Sequence, residues 1–388
     1  MAFKKRFFKQ PKQHFFLFGP RGTGKSTWLK ENVKADLFLD LLDPETFRSL
    51  AARPELLLEQ VEALSSGATI VIDEIQKLPQ LLDVVHLLIE RQNFRFILTG
   101  SSARKLKRAG VDLLAGRALL CYMHPFMAAE LGGDFSLSQA LTHGMVPLVI
   151  YAEEPEKTLK AYVALYIREE VQTEGLVRNI GAFGRFLEVV SFSHASILNV
   201  SDIAREAQVK RKTVEGYLSV LEDLLLCFKI QVFSKRAKRR LSSHPKFYLF
   251  DPGIFHTLRP KGPLDAPQEI EGQALEGLIA QHLRAWIDYS QNEAQLYFWR
   301  TRAGNEVDFV VYGPQNFVAI EVKNAKLLHH KMFKGLLAFK EDYPEADLFM
   351  LYRGKERLKY KNILCLPCEE FLKKLRPIPS LKELLLEV

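Results

Sequence analysis

A glycine-rich segment near the start of the chain carries the residues with the clearest chemistry. Gly19 to Ser26 matches the pattern G-x-x-x-x-G-K-[ST] at every fixed position. Glycines let backbone N–H groups wrap phosphate oxygens, Lys25 would reach the β- and γ-phosphates, and the Ser26 hydroxyl would ligate Mg²⁺. The pattern therefore predicts a site for ATP with Mg²⁺. The residues predicted to contact the nucleotide are Gly19, Pro20, Arg21, Gly22, Thr23, Gly24, Lys25, Ser26 and Thr27.

Two adjacent carboxylates, Asp73 and Glu74, follow the apolar run from residue 69 to 72. Such a run is typical of a buried strand of a parallel sheet, whose carboxyl end would bring Asp73 near Ser26 and the metal. Glu74 would then lie beside the γ-phosphate and direct the attacking water. The two acids favour hydrolysis of ATP over binding alone.

A third apolar run, residues 94–98, ends in small hydroxyl-bearing residues at 99–102. At the same edge of the sheet, Thr99 or Ser101 would sense the γ-phosphate. Further along, Arg117 has two interpretations. It is either an arginine finger that reaches the γ-phosphate of a neighbouring subunit in a homo-oligomer, or a surface arginine.

A second group of charged residues lies near the carboxyl end, in two candidate strands joined at residues 313–316. If the strands form a hairpin, opposed residue numbers sum to 629, which sets Asp308 against Glu321 and Glu306 against Lys323. Opposed like charges are unfavourable, so Asp308 and Glu321 predict a bound divalent cation, Mg²⁺ or Mn²⁺. Helical spacing upstream turns Glu276 inward. These acids with Lys323 would activate water against a phosphodiester.

The elements needed to position these groups can be read from periodicity. Residues 15–18 indicate a strand before the glycine-rich loop, and Ser26 begins a helix. Residues 137–184 look helical with two proline interruptions, as in a lid. Residues 186–232 have a helix-turn-helix pattern in which Ser201 would cap the first helix. Arg211 and Lys212 would open the second helix, where side chains enter a major groove, and Glu215 would share that surface.

The basic residues of the chain are concentrated in one segment. The net charge is +8, and residues 229–262 carry nine basic side chains against one acid. The run includes Lys238, Arg239 and Arg240, after the helix-turn-helix pattern. It indicates either contact with the phosphates of a nucleic acid or a solvated basic face.

Composition limits the class of protein. With 388 residues, 47% hydrophobic residues and 26% charged residues, the chain is long enough for two to four globular domains. No stretch is apolar for 18 residues, and no signal-peptide core follows the basic start, which predicts a cytoplasmic protein without membrane contact. Among the four cysteines, Cys121 and Cys227 stand alone in apolar surroundings and predict no disulfide framework.

Two family resemblances follow from these motifs. Glu276, Asp308 and Glu321-Val-Lys323 resemble the PD-(D/E)XK nuclease signature. The order of phosphate loop, Asp73-Glu74, helix-turn-helix and nuclease-like end resembles prokaryotic AAA-family ATPases with a winged-helix module and a C-terminal domain of unknown function. The resemblance implies an α/β fold in four parts: a P-loop ATPase core with a parallel sheet at 1–130, a helical lid at 131–185, a winged-helix-like module at 186–262 and an α/β restriction-endonuclease-like domain at 263–388.

Together these observations predict an ATP-hydrolysing AAA-type ATPase coupled to nucleic-acid binding, with DNA favoured over RNA, and to metal-dependent cleavage. The alternative is a nucleotide-controlled binding switch that uses a catalytically inactive nuclease-like domain as a scaffold. The expected catalytic residues are Lys25, Glu74, Arg117, Glu276, Asp308, Glu321 and Lys323. The expected metal ligands are Ser26, Asp73, Asp308 and Glu321. Beyond the loop residues, Asp73 and Ser101 are expected to contact the nucleotide.

Overall fold

The structure is a computed structural model and describes residues 4–91, 93–101, 114–167, 179–235 and 244–386. The chain divides into two compact units. The smaller unit contains Phe8–His124 and Val220–Leu226, and the larger unit contains Met1–Phe7, Pro125–Ser219 and Cys227–Val388.

A parallel sheet forms the centre of the smaller unit, with the order β2-β3-β4-β1-β5 in the described part of the chain. All residues of β1 are buried, as expected for a parallel strand covered on both faces. The patterns of β1, β3 and β4 predicted their strands, while β2 and β5 had no such prediction. The strands are β1 (Phe15–Phe18), β2 (Leu37–Asp40), β3 (Thr69–Asp73), β4 (Arg95–Gly100) and β5 (Leu119–Tyr122).

Helices pack against this sheet and share its apolar core. For example, Leu81, Val85 and Leu88 repeat at helical spacing in α4 and are fully buried in one cluster with strand residues. The helices of the smaller unit are α1 (Lys25–Asn32), α2 (Pro44–Ala52), α3 (Leu56–Glu62) and α4 (Leu81–Arg91), with short 3-10 turns at Ile75–Lys77 and Leu114–Gly116.

The parallel arrangement decides where the functional side chains lie. Phe18 pairs with Gly100, and Ile72 pairs with Leu98, so β1, β3 and β4 end at the same edge. The glycine-rich loop follows β1 at this edge, Asp73 ends β3, and Ser101 follows β4. The fold therefore gathers residues that are far apart in sequence.

The larger unit begins with short helices. Pro147 and Pro155 occupy the first turns of their helices, where proline loses no intrahelical hydrogen bond, so these prolines start helices as well as interrupting the helical run. The elements between residues 128 and 167 are α5 (Ala128–Leu131), a 3-10 turn (Gly132–Asp134), α6 (Leu137–His143), α7 (Pro147–Ile150), α8 (Pro155–Ala161) and a π-helix (Tyr162–Ile167).

The next segment alternates helices and short strands. Asn199 caps the first helix of the predicted helix-turn-helix, because its Oδ1 accepts from the backbone N–H groups of Ser201 and Asp202; the prediction that Ser201 is the cap was wrong. The turn uses Gln208 at φ 55°. The elements are α9 (Ile180–Ser191), β6 (Ser196–Ile197), α10 (Val200–Glu206), α11 (Arg211–Asp223), β7 (Cys227–Val232), β8 (Lys246–Leu249) and α12 (Pro252–Leu258).

The last segment adds a long helix and most of a mixed sheet. Among described residues, the order of the whole sheet is β13-β14-β12-β11-β10-β9-β7-β8-β6. The remaining elements are α13 (Pro267–Ser290), β9 (Gln295–Arg300), β10 (Glu306–Gly313), β11 (Asn316–Lys323), a 3-10 turn (His330–Phe333), α14 (Lys334–Asp342), β12 (Asp347–Tyr352), β13 (Leu358–Tyr360), β14 (Ile363–Pro367), α15 (Cys368–Lys374) and α16 (Leu381–Leu386).

The hairpin register predicted from the loop at residues 313–316 is confirmed where β10 and β11 pair. Phe309 opposes Ile320, and Gly313 opposes Asn316, which keeps the sum of 629. The strands extend one residue further toward each other than predicted, so only Pro314 and Gln315 connect them.

Within the described residues, no helix has both the length and the apolar character required to cross a lipid bilayer.

Candidate nucleotide site and carboxylate cluster

The glycine-rich loop adopts a conformation that depends on its glycines. Gly22 and Gly24 have φ values of 81° and 89°, and Gly24 immediately precedes α1. A side chain at Gly19 would place its Cβ 2.4 Å from the carbonyl oxygen of Met123. The loop therefore bends sharply between β1 and a helix N-terminus, which favours an anion at this position.

Lys25 lies across this loop and is 5% exposed. Its ammonium donates to the carbonyl oxygens of Gly19 at 2.6 Å and Pro20 at 3.3 Å, and Thr23 also donates to Pro20, at 2.8 Å. A cation held among loop carbonyls can transfer its hydrogen bonds to phosphate oxygens. Of the other predicted contacts, Ser26 is half-buried, and Arg21 and Thr27 are exposed.

Asp73 has a buried oxygen that lacks a donor. The side chain is 1% exposed; Oδ1 accepts from the Thr99 hydroxyl, whereas Oδ2 receives no hydrogen bond from the described residues. A buried carboxylate oxygen needs a donor or a cation. Asp73 and the Ser26 hydroxyl are hard oxygen donors, which suit Mg²⁺. The residues present thus fit the expected metal.

Glu74 follows in a left-handed backbone conformation, with φ 61°. Its N–H donates to the Thr99 hydroxyl at 3.2 Å, so Thr99 contacts both acids. Its carboxylate accepts from the amide of Gln76, which also donates to the Ser101 hydroxyl at 3.1 Å. The sequence patterns did not predict a role for Gln76. The signal that could have indicated one is its position two residues after Glu74.

Arg117 does not join this group. It lies just before β5, whose first residue, Leu119, pairs with Phe15 at the start of β1. That is the opposite edge of the sheet from the loop. Arg117 is exposed and forms an ion pair with Glu90.

In the larger unit, the ammonium of Lys246 lies within the predicted cluster of acids. It contacts Glu306 at 2.5 Å, Glu276 at 3.0 Å and Asp308 at 3.1 Å, and its side chain is 2% exposed. Tyr248 donates to the same Glu276 oxygen at 2.6 Å. Lys246 belongs to the basic segment for which the sequence predicts phosphate contact or a solvated face, and its burial excludes both interpretations for this residue.

The partner of Glu306 also differs from the expectation. The hairpin register set Glu306 against Lys323, but Glu306 pairs with Lys246 and, at 3.1 Å, with Arg300. The paired part of β10 runs from Phe309 to Gly313, so Glu306 lies outside the pairing with β11. Lys323 instead contacts Glu321 on its own strand at 2.5 Å.

Asp308 and Glu321 respond differently to their surroundings. Burial alone would raise the pKa of Asp308, yet Lys246 and Lys323 hold that pKa below its ordinary value, and the Val322 N–H donates to it at 2.9 Å. Burial and then the charge of Asp308 raise the pKa of Glu321 to about 8. The same two causes raise the pKa of Glu276 to about 7. The two lysines thus favour the ionised form of Asp308, while burial and the charge of Asp308 disfavour ionisation of the two glutamates.

These contacts bear on the predicted divalent cation. A lysine ammonium already lies between Glu276, Glu306 and Asp308, and the described residues contain no group of three or more His, Cys, Asp or Glu side chains arranged to hold a metal ion. Glu321 Oε2 is buried and has no hydrogen-bond donor there. The donors do not fit a metal in this arrangement, and the metal site at Asp308 and Glu321 stays a prediction.

The predicted nucleic-acid surface is described in part. Lys210, Arg211 and Lys212 lie at the start of α11; Arg211 and Lys212 are exposed, and Glu215, also exposed, pairs with Arg211 at 3.0 Å. Lys238, Arg239 and Arg240 of the basic segment lie outside the described part of the chain. Ser102, predicted at the nucleotide edge after the third strand, also lies outside it.

Comparison with known proteins identifies the class of the first region. Residues 11–132 match the AAA domain family, which supports an AAA-type ATPase. Residues 134–265 and 271–371 match two domains of unknown function, DUF8612 and DUF4143.

Two similar proteins have names that describe them as uncharacterized. One from Mycobacterium tuberculosis is 24% identical over 370 residues, covering 92% of this chain and 80% of that protein. Another, from Haemophilus influenzae, is 23% identical over 227 residues, covering 54% of this chain and 57% of that protein.

Lys246→Met tests the cluster as a source of stability. It removes the cation but keeps much of the apolar stem, so three acids lose their common partner. Breaking a buried ion pair costs about 3 to 5 kcal/mol, and we expect a loss of that size in the free energy of urea unfolding. Lys359→Met, at an exposed strand position, should change stability by less than about 0.5 kcal/mol. Equal losses in both variants would contradict the assignment.

Proposed function

We propose that the protein is an ATP-binding and ATP-hydrolysing AAA-type ATPase whose nucleotide state controls binding to nucleic acid. One observation supports ATP binding and hydrolysis, the first half of this proposal. Lys25, Asp73 and Glu74 lie at one edge of the parallel sheet, within the region that matches the AAA domain family. A phosphate anchor, a metal ligand and a carboxylate for water are the parts that hydrolysis requires. Asp73 suits the metal because its Oδ2 has no donor among the described residues.

Each residue has a distinct task in this proposal. The loop N–H groups and Lys25 bind and orient the phosphates, and Ser101 senses the γ-phosphate. Ser26 and Asp73 would hold Mg²⁺, which, when bound, offsets the negative charge of the phosphate oxygens. Glu74 orients the attacking water and accepts its proton. Arg117, at the far edge of its own sheet, would act only on a neighbouring subunit.

Two substitutions separate binding from hydrolysis. Lys25→Ala removes the phosphate anchor, so we expect the ATP dissociation constant to rise at least about tenfold. Glu74→Gln keeps the shape but not the base, so kcat should fall by about 10² to 10⁴ while the dissociation constant stays within about twofold. Fluorescent-nucleotide titration and phosphate release measure the two effects.

Lys9→Ala, at an exposed position before β1, is the matched control and should behave as wild type. A similar loss of affinity in Lys25→Ala and Glu74→Gln would refute the division of roles.

The order of elements from α9 to β8 supports a winged-helix-like module. A helix, a short strand, two helices joined by a tight turn, and two antiparallel strands follow one another, with β6 pairing to β8 and β8 to β7. Val214, Tyr217 and Leu218 bury one face of α11, while Arg211 and Lys212 remain exposed at its start. A helix presented this way suits contact with phosphates or a major groove.

Charge reversal tests this surface. Arg211→Glu with Lys212→Glu should weaken binding to all DNA sequences alike, and the slope of log affinity against log salt should become shallower by about 1 for each phosphate that the protein no longer neutralises. The matched control reverses Lys355 and Lys359, both exposed, and should leave binding unchanged. Unaltered affinity and salt slope in the α11 variant would mean that this face does not meet nucleic acid. RNA of the same sequence tests the preference for DNA.

The last segment supports a nuclease-like domain by topology. A long helix, three antiparallel strands, a helix and a fourth strand parallel to the third follow in order from α13 to β12. Two functions fit this topology, metal-dependent cleavage and a scaffold without cleavage. The position of the Lys246 ammonium among Glu276, Glu306 and Asp308 favours the scaffold, because a divalent cation there would repel it.

Melting curves with Mn²⁺ and no nucleotide distinguish the two functions. If the domain is a scaffold, Mn²⁺ should change the Tm of wild type and of Glu321→Gln by the same amount, which can be zero. Neither protein should cut labelled DNA or RNA. Glu321 is the informative position because its Oε2 has no donor among the described residues. A shift or a cleavage activity present in wild type and lost in Glu321→Gln would instead support the nuclease.

A further inference from the structure

We propose that Gln76 is a positioning residue for ATP hydrolysis, which holds the Glu74 carboxylate in a fixed relation to the sensor hydroxyl of Ser101. The inference rests on the proposed ATPase function and adds a residue that the phosphate-loop and acidic motifs do not contain. Gln76 acts through Glu74 and makes no contact with the reacting atoms in this role.

The amide of Gln76 connects two separate strand ends. Gln76 lies in the 3-10 turn Ile75–Lys77 that follows β3, and it is 6% exposed. Its Nε2 donates to the Glu74 carboxylate and, at 3.1 Å, to the hydroxyl of Ser101 after β4. One side chain therefore fixes the orientation of the proposed base relative to the group that would meet the γ-phosphate.

The space for this amide exists because residue 100 is glycine. A Cβ on Gly100 would lie 2.4 Å from Gln76 Oε1, which is closer than non-bonded atoms approach. The same Oε1 is buried without a hydrogen-bond donor among the described residues. A buried acceptor left unpaired is unfavourable. The hydrogen bonds that Nε2 donates therefore account for the position of the Gln76 side chain.

The backbone beneath Glu74 is fixed by a neighbouring contact. Its N–H donates to Thr99 Oγ1, which in turn donates to Asp73, and its left-handed φ of 61° leaves few alternatives. With the backbone held, the torsions of the Glu74 side chain decide where the carboxylate points. Gln76 restricts them, and a misplacement of about 1 Å in a catalytic group can cost about 10²-fold in rate.

A mutant cycle tests the proposal in the full-length protein. Gln76→Met keeps an unbranched side chain of similar length but removes the amide. We expect kcat for ATP to fall about 10- to 100-fold, with the ATP dissociation constant unchanged within experimental error. In the Glu74→Gln background the same change should have no further effect, because the group that Gln76 positions is already disabled.

Two further variants complete the test. Gly100→Ala should displace the Gln76 amide and lower kcat in the same direction. Gln80→Met, an exposed glutamine near the same turn, should leave kcat unchanged. Melting temperature is measured for every variant, since a structural role would lower it and affect nucleotide affinity as well.

The outcomes separate the inference from the function on which it rests. Three results would overturn the role of Gln76 alone. They are losses of kcat that multiply in the Gln76→Met, Glu74→Gln double variant, a rise in kcat for Gln76→Met, and weakened ATP binding by Gln76→Met. Turnover by wild type no faster than by Glu74→Gln would overturn the ATPase proposal itself, and the role of Gln76 with it.

Discussion

The contact between the Lys246 ammonium and three carboxylates connects separate segments of the larger unit. It joins β8 to α13 and β10, elements that come from separate stretches of sequence. Several buried acids without a cation would repel one another and incur a large desolvation penalty. With the ammonium in place, Asp308 stays ionised at a lowered pKa. An internal cation thus allows a charged cluster to persist in a buried position.

The smaller unit depends on a different constraint, the common edge of its parallel strands. Because β1, β3 and β4 end together, one hydroxyl, that of Thr99, contacts both Asp73 and the backbone of Glu74. The geometry of the proposed catalytic group is therefore set by the sheet rather than by flexible loops. Gln76 extends the same network to Ser101. Rigid elements of this kind hold reacting groups more accurately than mobile segments do.

Sequence patterns predicted the parts of the fold whose physics is local. The glycine-rich loop follows from its G-x-x-x-x-G-K-[ST] pattern, and the strands ending at Asp73 and Gly100 follow from runs of apolar residues. The hairpin register of β10 and β11 follows from the loop that joins them. β2 and β5 also contain short apolar runs, but only one residue of β2 is buried and two leucines of β5 are exposed. Their burial patterns therefore differ from the fully buried pattern of β1, and they were not predicted.

The electrostatic partners were harder to predict because they depend on distant segments. The opposed Asp308 and Glu321 predict a metal ion, which stays a prediction, whereas the cation that contacts Asp308 in the structure is a lysine 62 residues before it. In the sequence, Lys246 looked like one more residue of a basic run. A lysine whose neighbours are Phe247 and Tyr248 in a short strand can equally be a core residue, provided that carboxylates meet it.

The parallel pairing of β7 with β9 has a mechanical consequence. Gln231 and Val232 align with Tyr297 and Phe298. The strands of the winged-helix-like module, β6, β7 and β8, therefore belong to the same hydrogen-bonded sheet as the C-terminal strands. Bending between them would break ladder bonds and expose backbone groups. A displacement of β7 would therefore act on β9 through their shared hydrogen bonds, and from β9 on its other neighbour, β10.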